Sequence, residues 1–241
     1  LLASPPGTGT NYTDFSAANG TTYYYKVSAL NAVNEGPLST EASAMPTDLA
    51  PPVEPLAILD TFNRVNENPL SFAGRWGSTG IIGNSERSLK VVSNQCASDR
   101  TQWASGWWAT QLGVDSEAYA TIATLPGNGN GVRLYARLQT PGSSAVDGYV
   151  LLYNQLSGTD QVLLYRMTNG VLTQLASVNR EVAIGNTLLL RAKGTALEAW
   201  IKSGSTWTRL SQVTDSTFTA AGFAGLGIRG KTGRVDDFGA R

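Results

Sequence analysis

The 241-residue chain contains no histidine. That absence removes Ser-His-Asp and Cys-His catalysis, imidazole-ligated zinc and any histidine pH switch. The single cysteine, Cys96, cannot form an intrachain disulfide, and with no histidine to activate it the thiol is expected to be structural. One thiol says nothing about redox compartment. An excess of either charge is also missing: 18 Lys and Arg balance 18 Asp and Glu, and only 15% of residues are charged. A nucleic-acid binder carries a basic excess on one face, so no nucleic-acid partner is expected. No apolar run reaches the length of a membrane span and no signal peptide is recognisable, so membrane insertion is not expected either. No segment holds a 3.6-residue apolar period over three turns. The chain opens on LLASPPGTGT without an initiator Met, and is expected to be a piece of a longer protein whose other modules are its partners.

What is present is Gly, Ser, Thr and Asn between short alternating apolar runs, the pattern of an all-β sandwich. The clearest break is PTDLAPPVEPL, residues 46–56, whose prolines fix the backbone and remove ladder donors. It marks residues 48–57 as a Pro-rich linker between two modules. Before it, Tyr23, Tyr25, Val27 and Ala29 alternate with Tyr24, Lys26 and Ser28, as in a strand with one face inward. With Tyr23 after NGTT, Asn31 and the EGPLS turn, residues 1–47 resemble the C-terminal part of a fibronectin type III domain. The resemblance implies that Tyr23 is a tyrosine corner and that the segment is a spacer; Ala17, in place of the usual leucine, thins its core. Two sequons, at Asn11 and Asn19, are expected by chance in so Thr-rich a chain.

After the linker come SEAYATIATL, VRLYARL, GYVLLYN, QVLLYRM, VLTQLAS, TLLLRAK, LEAWIK, WTRLSQV, FAGLGIR and RVDDF. The joints TNG, KGT and SGS supply the positive-φ residues of tight hairpins. A dozen or so strands in this length predict a two-sheet jelly roll. On DTFNR, NPL, GRW, DGYVLLYN, LLLRAKG, AGFAGLGIRG and VDDF, residues 58–241 resemble the concanavalin A-like, or laminin G-like, jelly rolls of bacterial secreted proteins. The resemblance implies a secreted or extracellular-surface location. It also implies that LDTFNR and VDDFGAR pair as the two ends of one closed sandwich, with Phe62, Trp76 and Phe238 as core anchors.

Chemistry on such a fold takes three forms. Glycoside hydrolases of the lichenase type place paired carboxylates on one strand face as E-x-D-x-E, and no such motif occurs here. Its nearest approach, VDSEAY, gives Asp115 and Glu117 without a third acid and is expected to be a solvated strand end; Glu181, Glu198 and Asp215 stand singly. The second is calcium: the resemblance implies one structural ion near the terminal seam, and Asp60 and Asp236, each two residues before a phenylalanine, are its candidate ligands, or else rim carboxylates. The third is recognition. Adjacent Trp107 and Trp108 must point to opposite sides of a strand, so one faces away from the core. Alternation sets Arg133, Tyr135 and Arg137 on one side of VRLYARL, and Tyr149 and Tyr153 on one face of the next strand. These seven residues either line a sugar-binding sheet or knit strands by cross-strand pairing. The expected function is a non-catalytic carbohydrate-binding or adhesive module recognising a glycan or cell-surface polysaccharide. The alternatives are a structural virion or surface-filament module, and a glycan-active hydrolase or lyase with an atypical carboxylate pair.

Overall fold

The computed structural model describes residues 17, 21–45, 50–83, 86 and 89–241. Both sequons, most of residues 1–20 and part of the linker lie outside them. Contacts divide the chain into two compact units, Leu1–Ala50 and Pro51–Arg241. In the first, β1 (Tyr23–Tyr25) pairs antiparallel with β2 (Ala42–Ala44). The Asn31 side chain shapes the turn between them, its Oδ1 accepting the Val33 and Asn34 amides at 2.9 Å each. Val27, Leu30, Val33 and Leu38 are exposed.

The second unit is two stacked antiparallel sheets. One has the order β11 (Val171–Asn179), β10 (Gln161–Thr168), β9 (Asp147–Asn154), β8 (Gly131–Gln139), β15 (Phe223–Arg229), β6 (Trp103–Trp107). The other runs β14 (Thr206–Thr214), β13 (Ala196–Ser203), β12 (Thr187–Lys193), β7 (Ser116–Thr124), β16 (Arg234–Ala240), β5 (Gln95–Ser98), β4 (Leu89–Val92), with β3 (Ile58–Asp60) also on β16. Tight hairpins follow the turn chemistry: Asn169 and Gly170, both at positive φ, turn β10 into β11.

Strand alternation fills the space between the sheets. Val132, Leu134 and Ala136 from β8 and Tyr149, Leu151 and Tyr153 from β9 meet Leu188 and Leu190 from β12 and Leu197, Ala199 and Ile201 from β13. The two ends of the unit meet as the sequence implied: Phe238 on β16 stands opposite Asp60 on β3. Trp76 packs 4.8 Å from Phe238, 6.2 Å from Phe62 and 5.7 Å from Trp108, ring centre to ring centre, and all four are buried. Cys96 is buried in this cluster, and burial pushes its thiol pKa up, as a structural thiol requires.

The alternation fails at one place. The β8–β9 register shifts between Ala136 and Gln139, and Arg137 adopts a positive φ of 51°. The bulge turns Arg137 away from the face of Arg133 and Tyr135. Its guanidinium reaches the opposite sheet's end, donating from Nε to the Val114 carbonyl at 2.8 Å and from Nη1 to those of Gly194 and Phe218 at 2.8 and 2.9 Å. Arg137 is a buried clamp, not a contact residue.

Candidate functional site

The inner faces of β6, β8 and β15 are fixed by Ala104, Val132, Leu134, Leu226 and Ile228 in the core. Their outer faces therefore carry Trp103, Ser105 and Trp107 from β6, Arg133 and Tyr135 from β8, and Gly225, Gly227 and Arg229 from β15. Gly227 stands between Arg133 and Ser105. Its lack of a side chain leaves a lane across β15, and through it the Arg133 guanidinium stacks on Trp103 with Cζ 3.8 Å from the ring centre. A Cβ at position 227 would sit 3.3 Å from the Tyr135 hydroxyl and 3.4 Å from Arg133 Cβ. Arg229 is directly opposite Trp103 in register. Leu152, opposite Arg133 on β9, and Leu163, opposite Leu152 on β10, extend the floor as apolar surface.

Part of this outer face is roofed. Ile81 and Val146 pack with Tyr135, Leu138, Val150 and Met167 into a second apolar cluster, flanked by Ile82, Trp107 and Phe223. Glu86 belongs to the same covering segment; its Oε2 accepts the Ser105 hydroxyl and, at 3.3 Å, the Ile82 amide. The result is a half-walled platform whose open side shows Trp103, Arg133 and Arg229, all partly exposed. The Nε of both arginines is shielded from solvent with no hydrogen-bond acceptor among the described residues. Burial raises the Tyr135 phenol's pKa, the charge of Arg133 opposing it.

The seven expected contact residues divide. Trp107 and Trp108 do point to opposite sides: Trp108 is in the core, while Trp107 faces out but lies under residues 77–79, edge-on to Phe223 at 5.1 Å. Arg133 is on the platform. Tyr135 is its fully buried floor. Tyr149 and Tyr153 are corrected to core residues, on the opposite face of the sheet from Tyr135 and fully buried. Their hydroxyls serve buried acids, Tyr149 donating to Asp215 at 2.8 Å and Tyr153 to Asp160 at 2.9 Å. A side chain with no exposed surface offers a sugar nothing to stack on. Trp103, Arg229 and Glu86 were missed. Alternation in TQWASGWW and GLGIRG carried the first two, since Trp103 shares parity with Trp107, and Arg229 with Gly225 and Gly227.

No family model matches the chain, and no curated protein sequence matches it. Solved structures do. The carbohydrate-binding module CBM66 from Bacillus subtilis superposes with a TM-score of 0.51 at 18% identity, covering 71% of this chain and 98% of that one. The VIP36 exoplasmic/lumenal domain in its Ca2+/Man-bound form gives 0.53 at 14% identity, with 73% and 88% coverage. A mutant of the GH43 protein BlXynB from Bacillus licheniformis gives 0.51 at 11% identity, but this chain spans only 38% of it. The fold is the two-sheet concanavalin A-like jelly roll.

The calcium implied by that fold was tested against Asp60 and Asp236, and they do not fit it. Both Asp60 oxygens are taken: Oδ1 accepts the Phe62 amide at 2.7 Å and Arg64 Nη1 at 2.6 Å, and Oδ2 accepts Trp76 Nε1 at 2.8 Å and Arg64 Nη2 at 3.2 Å. A guanidinium already neutralises the charge a cation would need. The Asp236 Oδ1 accepts the Asp237 amide at 3.0 Å, and burial raises its carboxyl pKa. Among the described residues, no group of three His, Cys, Asp or Glu is placed to hold a metal.

The outer face of the other sheet is a charge ladder. Glu117 accepts Arg191 Nε at 2.6 Å and Arg241 Nε at 2.7 Å, so it is a buried ion-pair member and not a solvated strand end. Glu198 accepts Arg191 Nη1 at 3.1 Å and Arg209 Nη1 at 3.2 Å. Beside the ladder, a cavity of about 220 Å³ is lined by Tyr119, Asp237 and residues from 54 to 58. Lys202 and Glu54 close over it with an ion pair of 2.6 Å.

Proposed function

We propose that the Pro51–Arg241 unit is a non-catalytic carbohydrate-binding module whose contact surface is the platform of Trp103, Arg133 and Arg229. The observation that carries this reading is the platform itself: an indole braced by a guanidinium, beside apolar floor and unpartnered polar groups, on the outer face of a sheet. An aromatic face takes the apolar side of a sugar ring, and planar polar groups take its hydroxyls. The fold neighbours support it, one being titled a carbohydrate-binding module and another a mannose-bound domain. The carboxylates Glu117 and Glu198 are bound by arginines, which suits recognition better than the free acid pair of a retaining hydrolase.

The wider reading is of a secreted or surface-exposed bacterial protein in which this module follows the end of a fibronectin type III domain. By analogy with aromatic pairs, stacking one ring is worth about 0.5–1.5 kcal/mol beyond its buried area, so a single site is weak, roughly micromolar to millimolar, and gains from repetition. The test is a glycan array read with wild type and Trp103→Ala. Retention of a glycan by wild type and its loss in the variant support the reading. Retention unchanged in the variant moves the site elsewhere, and cleavage of a polysaccharide by the purified protein replaces binding with catalysis.

A further inference from the structure

We infer that the ligand of this platform is an anionic glycan, one whose carboxylate or sulfate is held between Arg133 and Arg229. The inference rests on the carbohydrate-binding reading and adds the charge of the sugar to it. Five other arginines, 64, 166, 191, 209 and 241, each have a carboxylate oxygen within 3.2 Å. Among the described residues Arg133 and Arg229 have none; Arg75, Arg180 and Arg234 also lack one, but only Arg133 and Arg229 share a face with the partly exposed Trp103. No described residue accepts a hydrogen bond from either Nε, although both atoms are shielded from water. Glu86, the acid that reaches the same face, has its Oε2 engaged by Ser105 and Ile82.

The two cations also sit on neighbouring strands of one sheet. Arg133 opposes Gly227, and Arg229 lies two residues further along β15. Both approach the same indole, Arg133 by stacking on it and Arg229 by standing opposite it in register. Two guanidinium groups on neighbouring strands of one face add their positive potentials, which an anion bound there would neutralise. A planar guanidinium fork presents parallel N–H groups that match the two oxygens of a carboxylate or sulfate, which a neutral hydroxyl pair does not reproduce. The Trp103 ring then takes the apolar face of the same sugar.

The experiment is calorimetric titration of the full chain with oligogalacturonate, its methyl ester and a sulfated galactan oligosaccharide, at low and high salt, alongside an array of neutral glycans. The expected result is binding of an acidic oligosaccharide, weakened at least about tenfold, or 1.4 kcal/mol, by esterification or by raising the salt. Arg133→Gln and Arg229→Gln are expected to remove it, with Arg229→Lys retaining part; the ester and salt arms use unaltered protein and so stand even if a variant misfolds. Neutral glycans binding as well as acidic ones, in a Trp103-dependent way, would overturn the anionic inference and leave the carbohydrate reading intact. No binding to any glycan, acidic or neutral, would overturn both.

Discussion

Arg133 and Arg137 lie four residues apart on one strand and do opposite work. Arg133 stacks on Trp103 at the open platform, whereas Arg137 is fully shielded and bonded to three loop carbonyls. Burial lowers the Arg137 pKa, its partners being carbonyl dipoles with only Asp115 at 3.8 Å as a counter-charge. Arg137→Ala is therefore expected to destabilise by about 3–5 kcal/mol in urea unfolding, because three buried acceptors lose a charged donor. A loss below 1 kcal/mol would show that the clamp is ornamental. Trp103→Ala should instead leave stability within about 1 kcal/mol, since the ring covers surface and not core. Tyr149 gives a pH signature. Burial raises its phenol to about 12, above the unfolded value near 10, so the stability it contributes is fully present below about pH 10 and is lost as pH rises towards 12. Alkaline unfolding followed by circular dichroism should steepen in that window, and Tyr149→Phe should lessen the slope by one proton's share, since Tyr119, Tyr135 and Tyr153 are raised by burial too; the same slope in both proteins would contradict the assignment.

At the scale of elements, the seam between β3 and β16 is the strongest feature the sequence made legible. LDTFNR and VDDFGAR carry an aromatic and an acid at matching parity, and the pairing of Phe238 with Asp60 follows from that echo. The role of Asp60 was not legible, because Arg64 and Trp76 reach it through tertiary structure and not through spacing. Asp60→Asn is expected to cost about 1–3 kcal/mol, because Arg64 loses one of its two carboxylate partners and keeps Glu67 at 3.0 Å. A chelator should leave the wild-type melting temperature unchanged; a fall restored by calcium would reinstate the metal. Alternation also gave the parity of β8 up to Ala136 and set Tyr149 and Tyr153 together on β9, but that shared face of β9 points into the core. Beyond Ala136 alternation failed because a bulge is a local insertion with no composition signal of its own, and Arg137 turned with it. The roof of residues 77–83 over Tyr135 and Trp107 was equally invisible, since which loop crosses which sheet is decided by the assembled fold.

At the scale of the molecule, the count and spacing of strands were enough for a two-sheet jelly roll, and the solved structures with the same fold agree. The face proposed for recognition was only half written in the chain. Arg133 was identified and Trp103 and Arg229 were not, because three strands distant in sequence, β6, β8 and β15, must first lie side by side. The central claim is that this one face is where a glycan binds. The most direct measurement is a chemical-shift titration of labelled protein with a glycan taken from the array, following backbone amides and the tryptophan indoles. The account predicts shifts concentrated at Trp103, Arg133, Gly227 and Arg229, with the indole of Trp103 moving most and those of Trp76 and Trp200 still. Shifts gathered instead around Tyr119, Lys202 and Trp207 on the other sheet, or no shifts at saturating glycan, would contradict it.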